Sequence, residues 1–210
     1  MKLRLAAVVT LVLGFAAFGL FLTLMGEGPL AAPAARHLRE MKNRTAPPDS
    51  VAPLTLAEMA ALPRRRPLAE FLPLEQRGVS IEGYVQNMLR AGDGDLHLEV
   101  AATPRFAVHS DTAYVTAEIT PIWSRSHPHW TFQGLAPVMR PALGGPSPWP
   151  GGTHRMRISG WLMYDWQHDE PYGRHRNQWT APRLTGWEVH PVTRIEAWDD
   201  ARRQFVDVQP

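Results

Sequence analysis

Alternating apolar and polar positions recur in five segments of the chain, and a period of two predicts β-strands. The alternation is clearest at residues 95–100, where Leu96, Leu98 and Val100 share one side of the predicted strand. An apolar-spaced helix is predicted at residues 130–139. The predicted strands cover residues 79–85, 95–100, 112–119, 154–164 and 187–198.

Three strands, a helix and two further strands follow one another in the order of a five-stranded OB-fold barrel, in which the helix closes one end. An SH3-like barrel or a small sandwich is compatible with the same pattern. The loop between the fourth and fifth strands, residues 165–186, is long, and long loops on compact domains are often functional. The predicted fold class is therefore mainly β, with one or two short helices.

A capping box predicts a short helix before the barrel. Thr55 is followed three residues later by Glu58, and Pro63 ends the helix that this pair begins. Residues 26–53 are rich in Ala and Pro, which predicts a semi-rigid linker with a short helix near residues 34–43.

An uncharged apolar run of 21 residues, Leu5 to Met25, precedes the linker. Crossing the hydrocarbon core of a bilayer takes about 20 helical residues, so the run predicts a transmembrane anchor. Lys2 and Arg4 lie before it, which places the N-terminus in the cytoplasm. The alternative is a cleaved signal peptide, whose apolar core is usually shorter, about 7–15 residues.

The predicted organisation has four parts, and it determines the expected location. They are a cytoplasmic N-terminus (1–4), an anchor (5–25), a linker (26–53) and an extracytoplasmic barrel domain (54–210). We expect a single-pass protein of a bacterial inner membrane with a periplasmic domain.

The overall pI of about 9.3 suggests a basic protein, but the basic residues are not in excess in the predicted domain. Residues 1–53 hold six of the 22 Lys and Arg residues and three of the 20 Asp and Glu residues. The domain that follows therefore carries 16 basic and 17 acidic residues, a formal charge of about −1. Because proteins that bind phosphate backbones usually have a basic face, nucleic acid is not an expected partner. The absence of Cys excludes iron–sulfur and thiolate zinc sites.

Two strings near the end of the chain carry a family resemblance. GWLMYD at 160–165 is followed by His168, and WEVHPVT occupies 187–193. This strand pair resembles a family of uncharacterised bacterial OB-fold-like proteins, over roughly residues 77–198. The resemblance implies a barrel and assigns no catalytic residue.

Three residues of these strings are candidates for a structural or metal-ligating role. Asp165, His168 and His190 offer the carboxylate and imidazole groups that Zn²⁺ and similar ions accept. Their spacing fits no metal motif, so a structural hydrogen-bonding role for His190 is the competing interpretation.

Tryptophan and arginine supply the candidates for partner docking. All eight Trp residues lie between Trp123 and Trp198, and Trp130, Trp161 and Trp187 are predicted core residues. Aromatic residues and Arg are enriched at protein interfaces. The docking candidates are three Trp residues in polar or Pro-rich loops and a run of three Arg residues, namely Trp149, Trp166, Trp179, Arg64, Arg65 and Arg66.

No catalytic constellation is visible, because the chain lacks a G-x-S-x-G motif and a phosphate-binding glycine loop. The expected function is a non-enzymatic accessory subunit whose partner is an integral membrane protein complex, for example a respiratory or photosynthetic one. No cofactor and no small-molecule substrate are expected. The alternatives are a metal-assisted hydrolase or nuclease, and a ligand-binding OB-fold module.

Overall fold

A computed structural model describes residues 32–104, 113–140, 153–169 and 183–208. The chain divides into two compact units between Met41 and Lys42. The described part of the first unit is helix α1 (Pro33–Lys42), whose last residue begins the second unit. The boundary thus lies twelve residues before the predicted domain start at residue 54.

The second unit contains seven strands and four short helices among its described residues. In chain order they are β1 (Val51–Pro53), α2 (Leu56–Ala61), α3 (Leu68–Glu75), β2 (Gly78–Arg90), β3 (Leu96–Ala101), β4 (Tyr114–Ile119), α4 (Pro121–Ser126), α5 (Phe132–Met139), β5 (Arg155–Tyr164), β6 (Arg183–Asp199) and β7 (Gln204–Asp207).

Five of the strands close into a barrel. The order is β2, β3, β4, β6, β5, and β5 pairs back onto β2. All of these pairs are antiparallel except β4 with β6, which is parallel. Helices α4 and α5 connect the third barrel strand to the fourth, as in an OB-fold barrel. The short strands β1 and β7 extend the sheet beside β2 and β6.

Strand alternation places the hydrophobic core inside this barrel. Leu98 and Val100 on β3, and Val115 and Ala117 on β4, are fully buried members of one hydrophobic cluster. Strand β2 pairs with β5 through residues 78–84 and with β3 through residues 84–90, and at Gly83 an added Cβ would lie only 2.7 Å from the Ala101 carbonyl oxygen.

The predicted capping box is confirmed. The Thr55 hydroxyl accepts a hydrogen bond from the Glu58 backbone N–H at 3.1 Å, and the Glu58 carboxylate accepts one from the Thr55 N–H at 2.8 Å. Helix α2 ends at Ala61, two residues before Pro63.

Several elements were not predicted, because they lack a periodic signal. Strand β1 has three residues, β7 has four, and α3 contains Pro73 in its interior. The fifth predicted strand is also longer than expected, since β6 begins at Arg183. The predicted linker contains α1 and β1, so its described part from residue 32 is structured.

The predicted transmembrane element needs correction. Leu5–Met25 lies outside the described residues, and within the part of the chain that the structure describes no helix is long and apolar enough to cross a membrane. The longest described helix, α1, has 10 residues, whereas a span takes about 20. The fold class is corrected to a mainly β sheet with short helices. The predicted inner-membrane location, periplasmic domain and membrane-complex partner depended on that anchor, so they lose their support too.

Candidate cation site on the polar face

One side of strands β3, β4 and β6 carries polar side chains, most of which are buried. Successive residues of a strand point to opposite sides, so the residues between the core positions face away from the barrel interior. Thr116 on β4 lies opposite Glu99 on β3 and Glu188 on β6. We call this surface the polar face; its residues are His97, Glu99, Tyr114, Thr116, Glu118, Glu188 and His190.

Three buried metal-ligating groups meet at the end of this face. Asp95 ends the turn before β3, Glu118 lies on β4 and His190 on β6. One ligand atom from each lies within 4.8 Å of the other two. The His190 Nδ1 atom is 3.1 Å from Glu118 Oε2, and its Nε2 atom is 3.3 Å from Asp95 Oδ2. We call these three residues the carboxylate–histidine cluster.

The imidazole of His190 is close to carboxylates without well-aligned hydrogen bonds to them. The residue is 0% exposed, and neither ring nitrogen has a hydrogen-bond partner of acceptable geometry among the described residues. The same holds for both carboxylate oxygens of Glu188, whose Oε1 lies 3.8 Å from His190 Nδ1. Buried polar groups are normally hydrogen-bonded, so these unpaired atoms need an explanation.

The electrostatics of the cluster favour a positive charge at its centre. Burial lowers the pKa of His190, but Asp95, Glu118 and Glu188 outweigh burial and raise this pKa well above its usual value. Burial raises the pKa of Glu118, yet the nearby imidazoles of His190 and His97 hold it well below its usual value. Burial dominates for Asp95 and Glu188, whose pKa values are raised. Arg183 adds positive charge beside Glu188, and Lys42 adds positive charge near both Glu118 and Glu188.

Two neighbours orient the carboxylates. The His97 Nδ1 atom is 2.8 Å from Glu118 Oε1, which leaves Glu118 Oε2 for His190. The Arg183 guanidinium is 3.3 Å from Glu188 Oε2, which leaves Oε1 on the side of His190. Each carboxylate thus turns one oxygen towards the cluster.

The structure separates Asp165 and His168 from His190, with which the sequence grouped them. The His168 Nδ1 atom lies 2.8 Å from Asp165 Oδ2, and Lys42 Nζ lies 3.8 Å from the same oxygen. Burial raises the pKa of Asp165, but the His168 hydrogen bond and the charges of His168 and Lys42 outweigh it and lower this pKa to about 2. The pair is therefore not part of the cluster around His190, although Lys42 and Arg183 carry charge that acts on both groups.

The predicted docking arginines are largely engaged within the protein. Arg64 Nε donates to Asp169 Oδ1 at 2.7 Å, and Arg65 Nη2 donates to the Asp169 backbone oxygen at 2.9 Å. The Tyr164 hydroxyl donates to Asp169 Oδ2 at 2.6 Å. Only Arg66 of the three has no described bond to Asp169, and it is exposed.

Of the three tryptophans predicted to dock a partner, the structure describes one. Trp166 follows Asp165 and is 47% exposed, whereas Trp149 and Trp179 lie outside the described residues. Of the predicted core residues, Trp130 and Trp187 are buried, and Trp161 is half-buried with its indole N–H bonded to the Ala46 oxygen.

Sequence reasoning missed Asp95, Glu118 and Glu188 as site residues. Glu118 and Glu188 occupy strand positions that alternate with core residues, and such positions are expected to face water. One sequence signal could have revealed the site: acidic and His residues occupy the positions that alternate with core residues on three separate predicted strands. This signal becomes specific only when the pairing of those strands is known.

Comparisons with known proteins identify no family. No protein-family model matches the chain, and no curated protein matches it. A solved structure of a small single-stranded DNA-binding protein from Streptomyces coelicolor is similar over 60% of this chain and 96% of that chain, with 13% identity and a TM-score of 0.28. At these values the similarity carries no argument about this chain's activity. The expectation that nucleic acid is not a partner is withdrawn.

Proposed function

We propose that this protein is a non-enzymatic module that binds a divalent metal cation with Asp95, Glu118 and His190. The main supporting observation is the fully buried imidazole of His190. Its ring nitrogens lie 3.1 Å from a Glu118 oxygen and 3.3 Å from an Asp95 oxygen without well-aligned hydrogen bonds. A cation among these groups would give each of them a partner. The second and third strands of an OB-fold barrel, here β3 and β4, also form the usual ligand-binding face of that fold.

The distances support a metal ion. Ligand atoms about 2.1 Å from one metal ion lie roughly 3 to 3.5 Å apart in tetrahedral or octahedral geometry. One ion binds only one ring nitrogen of an imidazole, and the distance of 3.3 Å from His190 Nε2 to Asp95 Oδ2 falls in this range. The three residues each offer one ligand atom within 4.8 Å of the other two. Carboxylate oxygen and imidazole nitrogen are ligands for Zn²⁺, Mn²⁺ and related ions.

Burial supports a structural ion over a catalytic one. Asp95, Glu118 and His190 are at most 7% exposed. Catalytic metal sites keep an open coordination position for water or substrate, whereas structural sites are closed. A buried, closed site therefore favours the module over the metal-assisted hydrolase.

Cation binding is expected to stabilise the wild-type protein after its metals have been removed. Adding Mn²⁺ or Zn²⁺ at about 100 times the dissociation constant should raise the free energy of unfolding by about 2.7 kcal/mol. Elemental analysis should find one ion per chain. Asp95→Asn and Glu118→Gln are expected to lose most of the binding, because each removes one anionic ligand.

Asp93→Asn is the matched control, because Asp93 lies two residues from Asp95 but its side chain is 52% exposed and outside the cluster. This variant should bind the cation as the wild type does. Wild-type protein that neither binds nor is stabilised by any of the ions would show that the cluster is a buried imidazolium–carboxylate group and overturn the proposal.

We also propose that the module acts as an accessory subunit of a larger protein assembly. The supporting observation is Trp166, which is 47% exposed beside the buried Asp165. Trp is enriched at the centres of protein interfaces. In native sizing of the protein extracted from its own cells, the wild type should run well above the 23.5 kDa monomer and Trp166→Ala should run as the monomer.

Leu72→Ala is the control for that experiment, since Leu72 is 41% exposed but lies on α3. It should leave the assembly intact. A wild-type protein that runs as a monomer would count against the accessory role.

We infer, finally, that the strand pair GWLMYD and WEVHPVT marks a group of related barrels. In support, the two strings lie on the neighbouring strands β5 and β6, where Leu162 pairs with Val189. The strings also carry Asp165, which is paired with His168 three residues later, and His190 of the cluster.

A further inference from the structure

We propose that residues 63–67, together with Trp166, form a docking surface for an acidic segment of a partner protein. Residues 63–67 have the sequence PRRRP, and we call them the arginine loop. This inference rests on the proposed accessory role. It goes beyond that role because it names the chemistry of the partner and the surface that binds it.

The barrel holds the backbone of the arginine loop at two points. The Trp187 indole N–H donates to the Pro63 oxygen at 2.8 Å, and the Arg65 backbone N–H donates to the Tyr164 hydroxyl at 2.9 Å. Trp187 on β6 and Tyr164 on β5 are both buried. The loop is therefore preformed, so a partner that binds it does not have to order its backbone.

Arg65 has a backbone conformation that residues other than glycine rarely adopt. Its φ is 54°, in the left-handed region. Such a conformation persists only where the surrounding structure holds it, and it is common at ligand-binding sites. Here the Asp169 backbone oxygen also accepts a hydrogen bond from Arg65 Nη2 at 2.9 Å. The contacts of Arg65 thus fix the place from which the side chain of Arg66 extends.

Positive charge exceeds negative charge at the arginine loop. Within the described parts of the chain, Asp169 is the only carboxylate that contacts the three arginines. Arg64 Nε donates to Asp169 Oδ1 at 2.7 Å, so this arginine neutralises the carboxylate. The Arg65 side chain is 57% exposed, and Arg66 is exposed without a described hydrogen bond or ion pair. The guanidinium groups of Arg65 and Arg66 are therefore accessible to a partner.

The chemistry of these groups favours an acidic protein segment. A guanidinium group can bind a carboxylate through two parallel hydrogen bonds, which add geometric specificity to the attraction. Trp166 is exposed and lies three residues before Asp169, on the segment that holds the loop. Trp and Arg are enriched among the residues that dominate binding at protein interfaces. Two arginines and one indole suit a short segment with a few carboxylates, whereas nucleic acids are usually bound through a longer series of phosphate contacts.

Binding of a labelled glutamate-rich peptide with a central phenylalanine to the purified full chain tests this surface. Fluorescence anisotropy measures the affinity at about 0.1 M salt, where charges about 10 Å apart still interact. The wild type should bind the peptide. Arg65→Glu/Arg66→Glu should bind it at least about 10-fold more weakly, because each substitution replaces an attraction by a repulsion. Trp166→Ala should weaken binding of this peptide more than binding of the same peptide with a central serine.

Arg125→Glu/Arg203→Glu is the matched control. Arg125 and Arg203 are exposed, the net charge changes by the same amount, and Arg203 has a φ of 53°, close to that of Arg65. This variant should retain the wild-type affinity. Arg66→Glu alone breaks no described internal bond and should already weaken binding, so the result does not depend on the folding of the double variant.

Two results with the peptide would overturn the inference. If the wild type does not bind, or if both double variants lose affinity equally, the arginine loop is only a solvated loop. Tighter binding of an oligothymidylate than of the peptide would identify a nucleic-acid surface instead.

Native sizing of the protein extracted from its own cells separates this inference from the accessory role. The wild-type assembly should dissociate when the salt is raised to about 1 M, where the screening length falls to about 3 Å, and Arg65→Glu/Arg66→Glu should run as the monomer. An assembly that survives both changes would remove the acidic partner and leave the accessory role. A wild type that runs as the monomer at low salt would remove both.

Discussion

Replacing Trp187 by alanine is expected to lower the free energy of unfolding by about 3 to 5 kcal/mol, the usual cost of removing a large buried aromatic side chain. Trp187 is 0% exposed. Its ring centroid lies 5.1 Å from that of Tyr164 and 5.5 Å from that of Phe71. Its indole N–H donates to the Pro63 oxygen at 2.8 Å, so the substitution removes both core packing and a hydrogen bond.

Urea unfolding at neutral pH measures this loss of free energy of unfolding, and two further variants serve as comparisons. Trp187→Phe retains most of the apolar volume but not the indole N–H, so it should lose clearly less than Trp187→Ala. Trp166→Ala removes the same side chain at a position that is 47% exposed, and it should change stability by no more than about 0.5 kcal/mol. A loss below 1 kcal/mol in Trp187→Ala would mean that the ring is not part of the core.

Asp169→Ala should produce the second large effect, lowering the free energy of unfolding by about 2 to 4 kcal/mol at pH 7. Breaking a buried charged pair costs about 3–5 kcal/mol, and the partial exposure of the partners reduces that figure. The Asp169 carboxylate accepts hydrogen bonds from Arg64, the Tyr164 hydroxyl and the Gly186 N–H. These contacts connect the segment after α2 to the ends of β5 and β6. Arg66→Ala is the control; it should change stability little, because that side chain has no described bond to Asp169.

The Asp169 effect should depend on pH in a defined direction. Burial raises the pKa of Asp169, but the bonds from Arg64 and Tyr164 outweigh burial and lower it. A lowered pKa means that the carboxylate stabilises the folded state above its unfolded pKa of about 3.9, and that this contribution disappears as the pH falls below that value. The difference between the wild type and Asp169→Ala should therefore shrink between pH 5 and pH 2. A difference that stays constant over this range would contradict the role of the charge.

The barrel strands could be predicted because each has a local signal. Leu96, Leu98 and Val100 alternate with polar residues, and this pattern depends only on neighbours in the sequence. Strand β1 and helix α4 could not be predicted in the same way. Strand β1 is three residues long and is held by parallel pairing to β2, a contact between distant parts of the chain.

The candidate site could be predicted only in part. His190 was a candidate because its residue type can bind a metal, and its partners were expected at Asp165 and His168. The structure instead brings it next to Asp95 and Glu118, because the parallel pairing of β4 with β6 joins segments about 70 residues apart.

The sequence by itself determined a mainly β chain with predictable strands, a capped helix at Thr55 and a nearly neutral charge beyond residue 53. These features follow from local periodicity, side-chain type and composition. Only the tertiary structure decided that acidic residues of β4 and β6 lie buried around His190, and that Arg64 and Arg65 bind Asp169. The physical reason is that burial and charge pairing depend on strand register. Register is set by contacts between strands that are far apart in the sequence, so no local pattern encodes it.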